Sequence, residues 1–152
     1  MNYMATALLT LPLAVAATHG NGKVIVKHMN PATLFKPTGY SHVVEVKGGR
    51  TLYVSGQIAI DQSGAVVGKG DLMAQTRQVF ENLKSALAGS GATLDDVVKI
   101  TVFMTDVSEV QTFRDVRGHY FTKELPASSL VQVARLARPE LMIEIEAVAV
   151  VE

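Results

Sequence analysis

Residues Met142–Val150 read MIEIEAVAV, and this apolar run contains two carboxylates two positions apart, Glu144 and Glu146. A β-strand turns successive side chains to opposite faces, so both acids share one face. An ionised carboxylate is costly to bury alone, which leaves two uses for such a pair: a structural ion pair, or acid–base work on a ligand. His42 shares strand parity with Tyr40, about 6–7 Å away along an extended chain, so the two can face one cleft. An imidazole there could donate or accept a proton near neutral pH, or could be a satisfied interface histidine. Ser128 and Ser129 stand in no nucleophile-elbow motif, and no His/Asp pair is placed to activate them, which argues against serine hydrolysis.

Composition narrows the field further. Fourteen basic residues balance fourteen acidic ones and no Lys/Arg run appears, which argues against non-specific nucleic-acid binding. Cysteine is absent, so disulfides, thiolate metal sites and a cysteine nucleophile are excluded. The four histidines form no HxH or HxxxH pair, which argues against zinc. A length of 152 residues suits one domain with its own core. Charged residues make up only 18%, which hints that a partner covers part of the surface. Residues 1–22 are a separate matter. MATALLTLPLAVAA is of signal-peptide length with an Ala14-Val15-Ala16 cleavage pattern, yet no basic residue precedes it and Pro12 interrupts it. It is too short to span a bilayer. Two readings stand: an N-terminal extension on a cytoplasmic protein, or a cleaved signal directing a periplasmic or secreted one.

The elements that must position these residues follow from periodicity and punctuation. Strands are expected at Lys23–His28, Ser41–Val46 and Thr51–Ser55, the last two as a hairpin around Lys47-Gly48-Gly49-Arg50, with a loop from Asn30 to Gly39. Asp71 caps a helix that ends near Gly89. Val97–Met104 forms a strand. Ser108 and Gln111 form a capping box for a second helix, whose stripe is Val110, Phe113, Val116 or Arg117, and Tyr120, and Pro126 closes it. Leu130–Ala134 and Met142–Val151 are the last strands. The result is an α+β domain over residues 23–152, with two helices on one face of a sheet. One strand face is purely apolar: Ile143, Ile145, Ala147 and Ala149, with Val98, Ile100 and Val102 beside it. The opposite face, with Glu144, Glu146, Lys99, Thr101 and Phe103, is too apolar for water and too polar for a core. Another subunit is its expected cover, with Lys99 or Arg135 available to pair one acid.

YSHVVEVKGGRTLYVSGQIAID, NLKSALAGSGATLDDVVKITVFMTD, PASSLVQVARL and IEIEAVAV, in this order and spacing, resemble the Rid family, also called the YjgF or liver perchloric-acid-soluble protein family. The resemblance implies a chorismate-mutase-like domain and a homotrimer whose sheets form an inner barrel, with small-molecule sites in the inter-subunit clefts. It implies no metal or cofactor and no nucleic-acid or membrane partner. Its best-understood branch hydrolyses 2-imino or 2-enamino acids to 2-keto acids and ammonia. By position, its last-strand glutamate is Glu144 and its cleft-closing tyrosine is Tyr40, and its ligand-facing Ser-Gly-Gln segment is Ser55, Gly56 and Gln57. The arginine that grips the substrate carboxylate is missing: its run reads Pro126-Ala127-Ser128-Ser129, with Leu130 where cysteine is frequent. Arg114 and His42 are candidates to compensate. Two alternatives accompany the deaminase reading: a trimer that binds a small metabolite without chemistry, and the endoribonuclease activity whose label this family often carries.

Overall fold

The computed structural model describes residues 23–152, and the signal-like segment 1–22 lies outside the described residues. The element order is β1 (Ile25–Met29), β2 (Val43–Lys47), β3 (Arg50–Ile58), α1 (Leu72–Ala88), β4 (Val97–Met104), α2 (Val110–Tyr120), β5 (Ala127–Gln132) and β6 (Ile143–Val151). This is the expected succession of strands and helices. β3, β6, β4 and β5 lie side by side in that order in one sheet. The β4–β5 pair is parallel and the others are antiparallel, so the sheet is mixed. A parallel pair needs a crossover connection, and α2 supplies it.

The expected hairpin of β2 with β3 does not form. β2 instead pairs antiparallel with β1 in a separate two-stranded sheet, and β3 pairs with β6. β3 stands at the edge of its sheet, so its pairing with β6 leaves the other edge open, and β2 turns away to β1. The turn therefore carries the chain from one sheet to the other, with Gly48 and Gly49 both at positive φ. At Gly49 a Cβ would come within 2.6 Å of Val24 Cγ2 and 2.8 Å of the Val151 carbonyl, so only glycine fits.

Three further differences are local. β5 begins three residues earlier than expected, because the parallel ladder to β4 starts at Lys99–Ala127. That places Ser128 and Ser129 inside a strand. Ser108 does not cap α2; the Asp106 carboxylate accepts the Ser108 N–H at 2.8 Å, and a short 3-10 turn leads into the helix. α2 then ends at Tyr120, well before Pro126. A bulge between Val97 and Lys99 turns Val97 rather than Val98 into the core.

Both helices cover the apolar sheet face. Leu72, Val79, Phe80, Leu83 and Leu87 of α1 are buried with Phe113 and Val116 of α2 against Ile100, Val102, Ile143, Ile145, Ala147 and Ala149. Each large aliphatic or aromatic side chain so buried contributes roughly 1.5–3 kcal/mol. Phe80 is the hub, stacked on Tyr120 at 4.6 Å and edge-on to Phe121 at 5.9 Å between centroids.

One buried polar side chain ties this core to the entry of β6. Gln75 is fully buried and donates to the Gly68 and Glu140 carbonyls at 3.1 and 2.7 Å. Its Oε1 accepts the Met142 N–H at 2.8 Å, one residue before β6 begins. Leucine at this position fills the space but satisfies none of these backbone groups. Gln75→Leu is expected to lower the stability of the chain by at least about 2 kcal/mol, read as a fall in the urea midpoint; an unchanged midpoint would contradict this account.

Candidate functional site

The open sheet face follows from the same alternation that builds the core. β6 turns Ile143, Ile145, Ala147 and Ala149 under the helices, which leaves Glu144, Glu146 and Val148 on the other side. Register fixes their neighbours: Glu144 lies opposite Phe103, Glu146 opposite Thr101 and Val148 opposite Lys99. On the far side of β6, Tyr53 stands opposite Val148 and is 83% exposed. Tyr53, Ser55, Lys99, Thr101, Glu146 and Val148 line an open hollow of about 540 Å³ on this face.

A bulge in β3 shapes the ground beside Glu144. Val54 pairs with Ala147 and Gln57 with Ile145, so Ser55 and Gly56 together oppose the single residue Glu146. Asn82 of α1 holds the strand beyond the bulge, donating to the Ile58 and Ile60 carbonyls at 2.8 and 2.9 Å. The Glu144 side chain lies directly over Gly56. A Cβ on Gly56 would come 2.8 Å from Glu144 Cδ and nearer still to Oε1. Gly56 has no positive φ, so space rather than backbone conformation demands glycine here. Among the described residues, neither Glu144 nor Glu146 has an ion-pair or side-chain hydrogen-bond partner within the chain.

The two acids nevertheless differ in their surroundings. Lys99 does not bridge to either; its ammonium donates to Ser129 Oγ at 2.8 Å and to the Ile100 carbonyl at 2.9 Å. Burial lowers the Lys99 pKa, and the nearby charge of Glu146 opposes that shift. Glu146 is the acid whose charge reaches Lys99. Arg135 makes no ion pair among the described residues. Glu144 has Gly56 and Phe103 as neighbours and no cation.

The remaining predicted residues fall in two other places. Ser129 shares the open face with Thr101, whereas Ser128 and Leu130 lie in register with Ile100 and Val102 on the helix-covered side. Tyr40 and His42 do come together, with their rings 5.3 Å apart and edge-on. His42 is also engaged structurally: Nε2 bonds to the Phe35 carbonyl at 2.9 Å, and its backbone N–H donates to Asn30 Oδ1 at 2.8 Å. It thereby pins the loop whose tip, Phe35, is 70% exposed. Nδ1 is the nitrogen left for a ligand. Arg114 is exposed on α2. The cation that reaches the Tyr40 segment is Arg117, packed on Gly39. The sequence offered Arg117 only as an alternative member of the α2 stripe; nothing local signals a contact with a glycine 78 positions away.

Strand order separates these groups within one chain. Ser41 bridges Ala127 at the outer edge of β5, and Ala127, Lys99 and Val148 form one row across the sheet. From this edge to β6 is three strand spacings, about 14 Å, and Glu144 lies four residues, about 13 Å, further along. Tyr40 therefore cannot cover the Glu144 of its own chain. Among the described residues, no cluster of three or more His, Asp or Glu could hold a metal, and no helix is long and apolar enough to cross a membrane.

This architecture is that of known proteins. The crystal structure of a Rid family protein of unknown function from Yersinia pestis superposes with a TM-score of 0.77 at 39% identity, covering 83% of this chain and 98% of that one. Its match defines the class: a chorismate-mutase-like α+β domain with its helices on one face of a mixed sheet. A RutC family protein of Pyrococcus horikoshii is 42% identical over 115 residues, 75% of this chain and 89% of its own. The 2-iminobutanoate/2-iminopropanoate deaminase of Mus musculus is 37% identical over 111 residues, 73% of this chain and 80% of its own. Residues 32–151 match the family described as Endoribonuclease L-PSP, and the chain belongs to this Rid family.

Gly56→Ala tests the packing of the glutamate on the bulge. The added methyl meets the end of a flexible side chain, so folding stability should change by less than about 1 kcal/mol while Glu144 is displaced. Activity or ligand binding that survives Gly56→Ala unchanged would show that Glu144 does not need this seat.

Proposed function

We propose that this chain is a cofactor-free hydrolytic deaminase of imino or enamino acids, working as a homotrimer with its sites in the clefts between copies. The observation that carries this reading is an unpartnered carboxylate, Glu144, held over Gly56 on an open sheet face. The distance from Glu144 to Tyr40 within one chain supports a cleft completed by a second copy, whose Tyr40 would cover the ligand. The deaminase activity named for the mouse relative supports the reaction class.

The reaction needs little machinery. Glu144 takes a proton from water, and the resulting hydroxide adds to the C=N carbon. That proton passes to nitrogen to give the carbinolamine; Glu144 then carries the hydroxyl proton to nitrogen as the C=O forms and the C–N bond breaks, so one imine and one water give one carbonyl compound and one ammonia. Backbone N–H groups near Gly56 and Ser129 orient the polar end of the ligand, and the Tyr40 ring excludes water. Ser128, in register with Ile100 on the helix-covered side, does not replace a bidentate guanidinium. Losing that pair costs about two to four orders of magnitude in rate on the smallest 2-imino acids. The same loss favours a second reading, a trimer that binds a metabolite without chemistry. The neutral charge balance, the absence of tryptophan and the lack of paired histidines offer nothing to recognise or cleave RNA.

Two measurements decide between these readings. Glu144→Gln is expected to lower imine hydrolysis at least about 100-fold while leaving product binding nearly intact, because the amide keeps the shape. A variant as active as wild type would remove Glu144 from the chemistry. Wild-type turnover of 2-iminopropanoate at the rate of arginine-bearing relatives would refute the argument from Ser128.

A further inference from the structure

Among the described residues, Arg117 carries the one buried side-chain polar atom that lacks a hydrogen-bond partner. Its Nε is shut off from solvent and has no hydrogen-bond partner. No ion pair or hydrogen bond to its guanidinium occurs among the described residues. Burial lowers its pKa, and the nearby charge of Arg114 adds to the effect. A desolvated guanidinium without an anion is costly, and such groups are normally paired.

The surroundings of Arg117 hold it in one place. Its Cζ lies 5.6 Å from the Phe113 ring centroid, a cation–π contact one helical turn back. The guanidinium occupies the space where Gly39 lacks a side chain: a Cβ there would come 3.0 Å from Cζ and 3.1 Å from Nη1. Gly39 is at φ +90°, so both the backbone and the available space call for glycine. The next residue is Tyr40, the cleft-closing side chain of the proposed site. A cation is thus seated one residue from Tyr40, and a guanidinium is the group that grips a carboxylate with two parallel N–H donors.

Its position relative to Ser128 can be read from the register. Ser41 donates its N–H to the Pro126 carbonyl at 3.1 Å and bridges Ala127 in parallel. Gly39 is therefore level with Leu125, three residues or about 10 Å before Ser128 along the strand. The cation has moved from the β5 position toward the Tyr40 end. We propose that Arg117 receives the acid group of the ligand in place of the arginine absent at Ser128. The displacement makes it select imino or enamino acids whose acid group stands several bonds away from the reacting C=N. This rests on the deaminase reading only for the identity of the C=N group; the anion site stands on its own geometry.

The test is calorimetric titration of the full-length chain with 2-oxoglutarate, which carries a distal carboxylate, and with 2-oxobutanoate, which does not. Wild type should bind 2-oxoglutarate at least about tenfold tighter. Arg117→Met should weaken 2-oxoglutarate about tenfold to a hundredfold and leave 2-oxobutanoate unchanged. Arg117→Lys, which keeps the charge but not the fork, should fall between. The melting temperature of Arg117→Met should hold or rise, because the lost guanidinium makes no hydrogen bond in the chain. The proposal is overturned if wild type does not bind 2-oxoglutarate, or if Arg117→Met binds it as wild type does. It is also overturned if the variant melts lower and loses both acids equally, as a structural strut or a pair with a partner carboxylate would behave. Arg117-dependent binding without hydrolysis of 2-iminoglutarate would sink the deaminase reading and leave this one standing; hydrolysis with Arg117-independent binding would do the reverse.

Discussion

β6 is paired on both sides, and everything else in the domain depends on that constraint. A strand hydrogen-bonded along both edges cannot slip in register, because a one-residue shift would put Glu144 and Glu146 under the helices and Ile143 and Ile145 into the open. The burial of four alternate side chains on one face therefore fixes two carboxylates on the other. Gln75 secures the start of this strand and the β3 bulge shapes the ground beside it. Glu144 is consequently positioned by the core, not by any polar partner of its own.

The distribution of charge gives the surface its meaning. Most charged side chains here pair locally or face water, as with Lys84 on Glu81 or Lys123 on Asp95, and such exposed pairs contribute little. Glu144 and Arg117 are different. Each is packed against a glycine, and each lacks a counter-ion in the described chain. They stand at opposite ends of the sheet, beyond each other's reach in one copy. In the proposed assembly, the edge of one subunit meets the open face of the next. A carboxylate and a guanidinium then bracket one cleft, which suits a ligand with a nitrogen to hydrolyse and an acid to hold.

Much of this was legible in the residues. The period-two patterns of Ile143–Val151 and Val97–Met104 gave away both strands, and both faces except at the bulge that turns Val97 inward in place of Val98. Asp71 capped its helix as expected, with its carboxylate accepting the Ala74 N–H at 3.0 Å. Glu144 and Gly56, matched by resemblance, proved to be in contact. The hairpin was misread because Lys47-Gly48-Gly49-Arg50 has the chemistry of a tight turn, while the choice of partner strand belongs to distant residues. Arg114 was a candidate through the resemblance, whereas helical spacing offered Arg117 only as a member of the core-side stripe; the path of Gly39 alone shows what its guanidinium packs against.

The sequence by itself determined the α+β class, the two helices, the apolar and mixed faces of the β6 strand, and serine at position 128. These depend on local period, capping and residue identity, which act over a few positions. Tertiary structure decided which strands pair, where the bulge at Ser55–Gly56 falls, and that Ser128 turns from the open face while Ser129 joins it. It also decided that Tyr40 and Glu144 of one chain stand apart and that Arg117 lies beside Tyr40. These are contacts between residues far apart in the chain, set by the competition of whole strands for partners and of side chains for space, which no short window of sequence records.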